Sequence, residues 1–127
     1  MTGAGRERVI AACGAKPGSA EDYPFGDEVA VFKVADRMFA LVSLGPPPGS
    51  VSLKCDPGLA AALRDRYAAI TPGYHLNKRH WNTVILDGSL REQIITEMIE
   101  DSYDLVVSDR PEPRRRALGW RADEPRA

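Results

Sequence analysis

At 127 residues the chain is the size of one domain and long enough to enclose one hydrophobic core. Its composition, 43% hydrophobic and 28% charged with 11 Gly and 10 Pro, is that of an ordinary globular protein, and a formal net charge of −1 argues against an indiscriminate polyanion binder. No run approaches the roughly 18 apolar residues of a membrane span, and Met1 to Arg8 is too polar for a signal peptide, so the expectation is a cytoplasmic protein with no membrane partner.

In chain order, Val9, Ile10 and Cys13 stand at helical spacing, predicting a helix over 5–13 with Gly14 as its C-cap. Lys16 to Gly26 reads as loop, punctuated by Pro17-Gly18 and Pro24. Val29 to Val34 and Met38 to Leu44 are β-branched and aromatic runs on either side of Ala35-Asp36-Arg37, the pattern of a hairpin. Its turn lacks the glycine that a tight primed turn prefers, which leaves its length open. Gly45-Pro46-Pro47-Pro48-Gly49 lacks three backbone donors and must be an exposed connection. Val51 to Cys55 alternates with period two, predicting a strand with one apolar and one polar face.

Asp56 precedes Pro57 as cap and first residue of a helix over 56–67, with Leu59, Leu63 and Tyr67 as its buried stripe. Thr71-Pro72-Gly73 reads as a turn, Tyr74 to His80 as a polar segment, and Trp81 to Leu86 as a further strand. Ser89 with Glu92 has the spacing of a capping box, opening a helix over 89–107 with Leu90, Ile94, Ile95, Met98 and Ile99 on its apolar face. Beyond Arg110 the chain turns to Pro, Arg, Glu and Asp. Residues 111–127 therefore read as a basic, Pro/Arg-rich tail with little intrinsic structure, removable at small cost, after a single domain over 1–110. Short connections between strands favour a two-layer α+β architecture: an antiparallel sheet of four to six strands with helices packed on one face.

Charge is unevenly placed. Residues 51–80 hold Lys54, Arg64, Arg66, Lys78 and Arg79 against Asp56 and Asp65, whereas residues 81–110 set Arg91 and Arg110 against seven acids. The two cysteines, Cys13 and Cys55, form no CxxC pair and suit a reducing compartment. His75 and His80 are five apart, not the four of a zinc-binding helix, and have no nearby carboxylate, so no metal and no cofactor is expected. The acidic positions of the last helix, Glu92, Glu97, Glu100, Asp101 and Asp104, suit a solvated face. No serine lies in a GxSxG context and neither cysteine has an assignable base, so no catalytic residue is assigned.

Several segments together resemble the MmcQ/YjbR family. They are Pro24-Phe25-Gly26; Val29-Ala30-Val31-Phe32-Lys33-Val34 with Met38-Phe39-Ala40; Val51-Ser52-Leu53-Lys54-Cys55; Tyr74-His75-Leu76-Asn77-Lys78 with His80-Trp81; and Ser102-Tyr103. The resemblance spans roughly residues 5–107. It implies a frataxin-like α+β fold, described for the family as a double-wing DNA-binding arrangement, and it implies no enzyme activity. Two features depart from the family pattern: Ala35-Asp36 where glycine is usual, and the arginine-rich stretch 114–121.

The polar segment concentrates candidate binding groups. Lys78 and Arg79 suit phosphate, Asn77 a base edge, and Trp81 stacking, with His75 and His80 beside them and Lys54 extending the patch from its strand. Trp81 and the histidines also suit a core. Lys33 and the arginines Arg114, Arg115 and Arg116 are auxiliary candidates, the last three as an arm that orders on binding. Ser102-Tyr103 is expected to pack the last helix on the sheet, with a Tyr103 hydroxyl near the polar segment as the alternative. The expectation is a small non-enzymatic binding protein for nucleic acid, DNA in particular. The rival is a partner- or small-anion-binding module whose polar pocket would use Lys33, Lys54, Lys78 and the two histidines.

Overall fold

The apolar stripe of the last predicted helix forms α3 (Glu92–Ser108), and the computed structural model, which describes residues 5–120, assembles the chain around it. Ile95, Met98, Ile99, Tyr103, Val106 and Val107 are buried, and Ile94 is half-buried. Each fully buried aliphatic side chain contributes about 1.5–3 kcal/mol relative to exposure. The predicted capping box does not form. Asp87 and Gly88 (φ 86) make a turn in which the Ser89 amide and hydroxyl both donate to Asp87 Oδ1, at 3.0 and 2.7 Å. With Ser89 so committed, α3 starts three residues later, after Arg91, with no side-chain cap.

The sheet has six strands, β1 (Ala20–Asp22), β2 (Val29–Val34), β3 (Arg37–Ser43), β4 (Ser50–Lys54), β5 (Ile70–Pro72) and β6 (Trp81–Ile85), in the order β1-β2-β3-β4-β6-β5 and antiparallel throughout. β1 and β5 fall where loop and turn were predicted. Each has three residues, too few for a period to show, and each forms because an edge backbone pairs with β2 or β6. The β2–β3 turn is tight: Val34 pairs with Arg37, and Ala35 (φ 50) and Asp36 (φ 67) both adopt the left-handed conformation that glycine usually supplies. A bulge at Phe39, between the pairs Phe32–Ala40 and Lys33–Met38, lets the consecutive residues Phe39 and Ala40 both be buried.

α1 (Arg6–Gly14) packs Val9 and Cys13 toward α3 and β3, and α3 lies across β2, β3 and β4. α2 (Pro57–Arg66) opens as predicted, with Asp56 accepting from the Gly58 and Leu59 amides at 3.1 and 3.3 Å. Its buried residue is Ala60; Leu59 is exposed, and Leu63 and Tyr67 are half-buried. Ala60 is buried against the sheet, and its carbonyl accepts from Asn82 Nδ2 at 3.3 Å, which places α2 on the same side as the other helices. Ser102 fastens α3 to the bulge: its hydroxyl donates to Phe39 O at 2.6 Å and accepts from the Lys54 amide at 2.8 Å. Tyr103 lies edge-on to Phe39 at 5.4 Å, and its hydroxyl donates to Pro17 O rather than reaching the polar segment.

The C-terminal stretch departs most from expectation. Residues Glu112–Ala117 form α4, and Leu118 and Trp120 pack half-buried against the core. Trp120 Nε1 donates to Asp104 Oδ1 at 3.0 Å, and Leu118 lies so close to Gly18 that a Cβ there would sit 2.3 Å from Leu118 Cδ2. Two well-spaced apolar side chains are enough to seat a short helix that shows no periodicity of its own. Residues 121–127 of the predicted tail lie outside the described residues.

Candidate functional site

Strand alternation sorts the sheet into two faces. Ala30, Val42, Val51, Leu53, Asn82 and Val84 face the helices, as their mutual pairing and burial show. The opposite face carries the pairs Val31–Leu41, Lys33–Met38, Leu41–Ser52, Ser52–Thr83, Thr71–Thr83 and Lys54–Trp81. The three helices in contact with the sheet lie against the first face, and among the described residues no helix covers the second, the open face, although Val31 is fully buried on it. Its polar row is nonetheless not fully solvated, contrary to the expectation for β4. Ser52 and Thr83 are buried, their hydroxyls 2.8 Å apart.

Thr83 explains this burial. Its Oγ1 also accepts from the Tyr74 amide at 3.0 Å, so the connection between β5 and β6 is drawn over the end of the open face. Gly73 donates its amide to Trp81 O, and a Cβ at Gly73 would meet Trp81 Cβ at 2.6 Å, so only glycine permits this approach. The loop then closes on itself. Lys78 Nζ donates to Gly73 O at 2.9 Å, the Arg79 amide donates to Asn77 Oδ1 at 3.0 Å, and His80 O accepts from the Cys55 amide at 2.7 Å. Tyr74, held by its backbone, is left 71% exposed, its ring centroid 4.0 Å from that of His75, which sits at φ 60.

The predicted site residues therefore divide. Lys54 and Trp81 are cross-strand neighbours, and His75, Asn77, Lys78, Arg79 and His80 form the adjoining loop. Asn77 serves as the loop's internal acceptor, and Trp81 is half-buried against Gly73. Lys33 lies two strands from Lys54 and is ion-paired with Asp22 at 3.1 Å, which holds the Asp22 carboxyl below its usual range. Arg114 pairs with Asp36 of the β2–β3 turn, whereas Arg116 pairs with Glu112 inside α4 and Arg115 donates to Arg110 O, so of the three only Arg114 reaches the rest of the domain.

Three contributors were not singled out from the sequence. Arg64 reaches from α2 to Asn82 Oδ1 (2.8 Å) and Lys78 O (3.4 Å), adding a cation beside the loop. Thr83 is the anchor, and Tyr74 is the exposed ring. A hint of the last is present: an aromatic directly after Pro72-Gly73, inside a polar run, has no apolar neighbours to join.

The β5–β6 loop itself is one-sided in charge. No carboxylate occurs between Asp65 and Asp87 in the chain. Among the described residues Lys54, Arg64, Arg66, Lys78 and Arg79 form no ion pair, whereas Arg8, Lys33, Arg114 and Arg116 do. Both thiols are poor nucleophiles. Burial pushes Cys13 up to about 12, and burial, reinforced by Asp101 and Asp56, pushes Cys55 up to about 11. A cavity of about 390 Å³ beside α3 is lined by Cys55, Asp56, Asp101, Asp104 and Trp120 among others, and three of those residues are acidic. Among the described residues no group of three His, Cys, Asp or Glu side chains is placed to hold a metal, and no helix is long and apolar enough to cross a membrane.

A family model described as YjbR matches residues 14–105. The chain is 40% identical over 106 residues to the Escherichia coli (strain K12) protein named Uncharacterized protein YjbR, covering 84% of this chain and 90% of that one. It is 38% identical over 85 residues to Uncharacterized protein YbdF of Escherichia coli O157:H7, covering 67% and 70%. The crystal structure of a Deinococcus radiodurans protein with a DUF419 domain superposes with a TM-score of 0.86 at 38% identity, over 92% of this chain and 89% of that one. A Pseudomonas syringae crystal structure superposes with a TM-score of 0.68 at 32% identity, over 79% and 97%.

Proposed function

This chain belongs to the YjbR family, and from that premise we propose that it is a non-enzymatic nucleic-acid-binding protein that grips phosphates at the Lys54–Arg64–Lys78–Arg79 end of its sheet. One observation carries the reading: among the described residues the cations gathered at this end form no ion pair, while Lys33, Arg114 and Arg116 do. Lysine and arginine whose charge no carboxylate neutralises keep most of their attraction for an external anion, and phosphate is the ligand that a row of them suits. The net charge of −1 is no obstacle, because binding follows the local field and not the total.

The test is titration of random-sequence oligonucleotides, duplex and single-stranded, at ~50 mM salt and again at ~200 mM. Three or four phosphate contacts predict a log–log salt slope of roughly −3 to −4 for duplex. Absence of binding at tens of micromolar in ~50 mM salt, a condition that favours phosphate contacts, overturns the reading and leaves these cations to a small anionic ligand.

A further inference from the structure

The phosphate reading says nothing of which form of nucleic acid is bound, but the shape of this end of the sheet does. We propose that the ligand is a single strand, laid on the open face with one unpaired base stacked on the Tyr74–His75 pair; this rests on the nucleic-acid reading above and deepens it.

Tyr74 is the most exposed large apolar side chain in the described structure, more so than Tyr23, Phe25 or Leu59. Its exposure is built in. The Tyr74 amide is bonded to Thr83 Oγ1, that oxygen lies 2.8 Å from Ser52 Oγ, and both hydroxyl residues are buried in the sheet. A backbone held at that depth, followed by a residue at positive φ, presents the ring outward without a core contact. The neighbouring imidazole, with ring planes 51° apart, shields one flank of the phenol and leaves the rest of the ring to solvent. An aromatic ring fixed by a rigid backbone gives up little freedom when a base stacks on it, and the stacking needs no particular base.

The track leading from Tyr74 has matching chemistry. Past the buried pair Thr83 and Ser52, that face presents the half-buried Trp81 and Lys54, then Met38 and Lys33 across the next strands. Side chains of β3, β4, β5 and β6 that point to this face include no carboxylate; the one acid on the face, Asp22, lies on β1 and is paired with Lys33. Lys54 stands directly across from Trp81, a cation next to a half-buried ring, and Lys78, Arg79 and Arg64 border the loop. A duplex offers such a surface only its phosphates, because its base faces are stacked on one another. A single strand offers phosphates and base faces together, and here both partners lie side by side.

The experiment is fluorescence anisotropy at ~50 mM salt with a labelled unstructured single strand and with the same sequence as a duplex, using the full chain and its Tyr74→Ala and Tyr74→Phe variants. The single strand is expected to bind at least about tenfold tighter than the duplex. Tyr74→Ala should lose about tenfold for the single strand, leave duplex affinity and melting temperature unchanged, and Tyr74→Phe should restore the single-strand affinity. Equal or tighter binding of the duplex, or an equal loss on both ligands in Tyr74→Ala, overturns the single-strand inference while the phosphate reading stands. Failure of the unmodified chain to bind either ligand overturns both.

Discussion

Two basic stretches of this chain look alike as text and behave differently as structure. Arg114-Arg115-Arg116 is the denser run, yet its charges are taken up by Asp36, Glu112 and the Arg110 carbonyl, and Leu118 and Trp120 seat the stretch on the domain. Lys78-Arg79 is shorter, its loop is closed by backbone carbonyls and Asn77, and among the described residues neither cation forms an ion pair. A charge run thus becomes a binding surface or a docking element according to what its neighbours offer, and the apolar residues beside it decide which.

The comparison can be broken by experiment. The largest effect should come from Leu118→Ala with Trp120→Ala. Losing two half-buried side chains should cost about 2–3 kcal/mol, a drop of roughly 10 °C in melting temperature, with oligonucleotide affinity retained. A thermal melt as stable as the unmodified protein would show that α4 is the free tail that composition suggests. Thr83→Val, which removes the anchoring hydroxyl but keeps the shape, should cost about 1–3 kcal/mol because Ser52 and the Tyr74 amide lose their partner. It should also weaken single-strand binding, since the ring would no longer be held.

Lys78→Ala with Arg79→Ala sharpens the contrast from the other side. Stability should move by less than about 1 kcal/mol, while the log–log salt slope flattens by about two. The matching pair Arg114→Ala and Arg116→Ala should leave the salt slope unchanged and cost at most about 1 kcal/mol, the scale of exposed ion pairs. Cys55 reports on both regions at once, since its amide donates to His80 O and its side chain lines the cavity that Trp120 borders. With the thiol pushed up to about 11 by burial, the thiolate is scarce at neutral pH and grows as pH rises toward that value. Iodoacetamide alkylation should therefore be slow at pH ~8 and climb about tenfold per pH unit through the alkaline range. Undocking Trp120 should raise the rate at fixed pH, and the Lys78 and Arg79 substitutions should not.

Much of the fold was legible because its signals are local. The period of Ile94, Ile95, Met98 and Ile99 marks α3, the β-branched runs mark β2, β3, β4 and β6, and Asp56-Pro57 marks the start of α2. The failures share a cause. β1 and β5 are strands only because a longer strand lies alongside, Ser89 met an acceptor in Asp87 before it could cap a helix, and the way α2 is seated over Asn82 buries Ala60 and leaves Leu59 exposed.

The site follows the same division. Its residue types, cationic and aromatic between Tyr74 and Trp81 with Lys54 nearby, are a property of the sequence, since phosphate affinity and stacking surface belong to the side chains themselves. Which of them face outward and stay uncompensated is a property of the tertiary structure. Arg114 meets Asp36 across 78 positions of chain, and Tyr74 is aimed by a hydroxyl nine residues away on the next strand. Periodicity reports how a segment meets its own core, but the pairing of charges and the exposure of one ring depend on which distant side chains the folded sheet and helices bring within hydrogen-bonding reach.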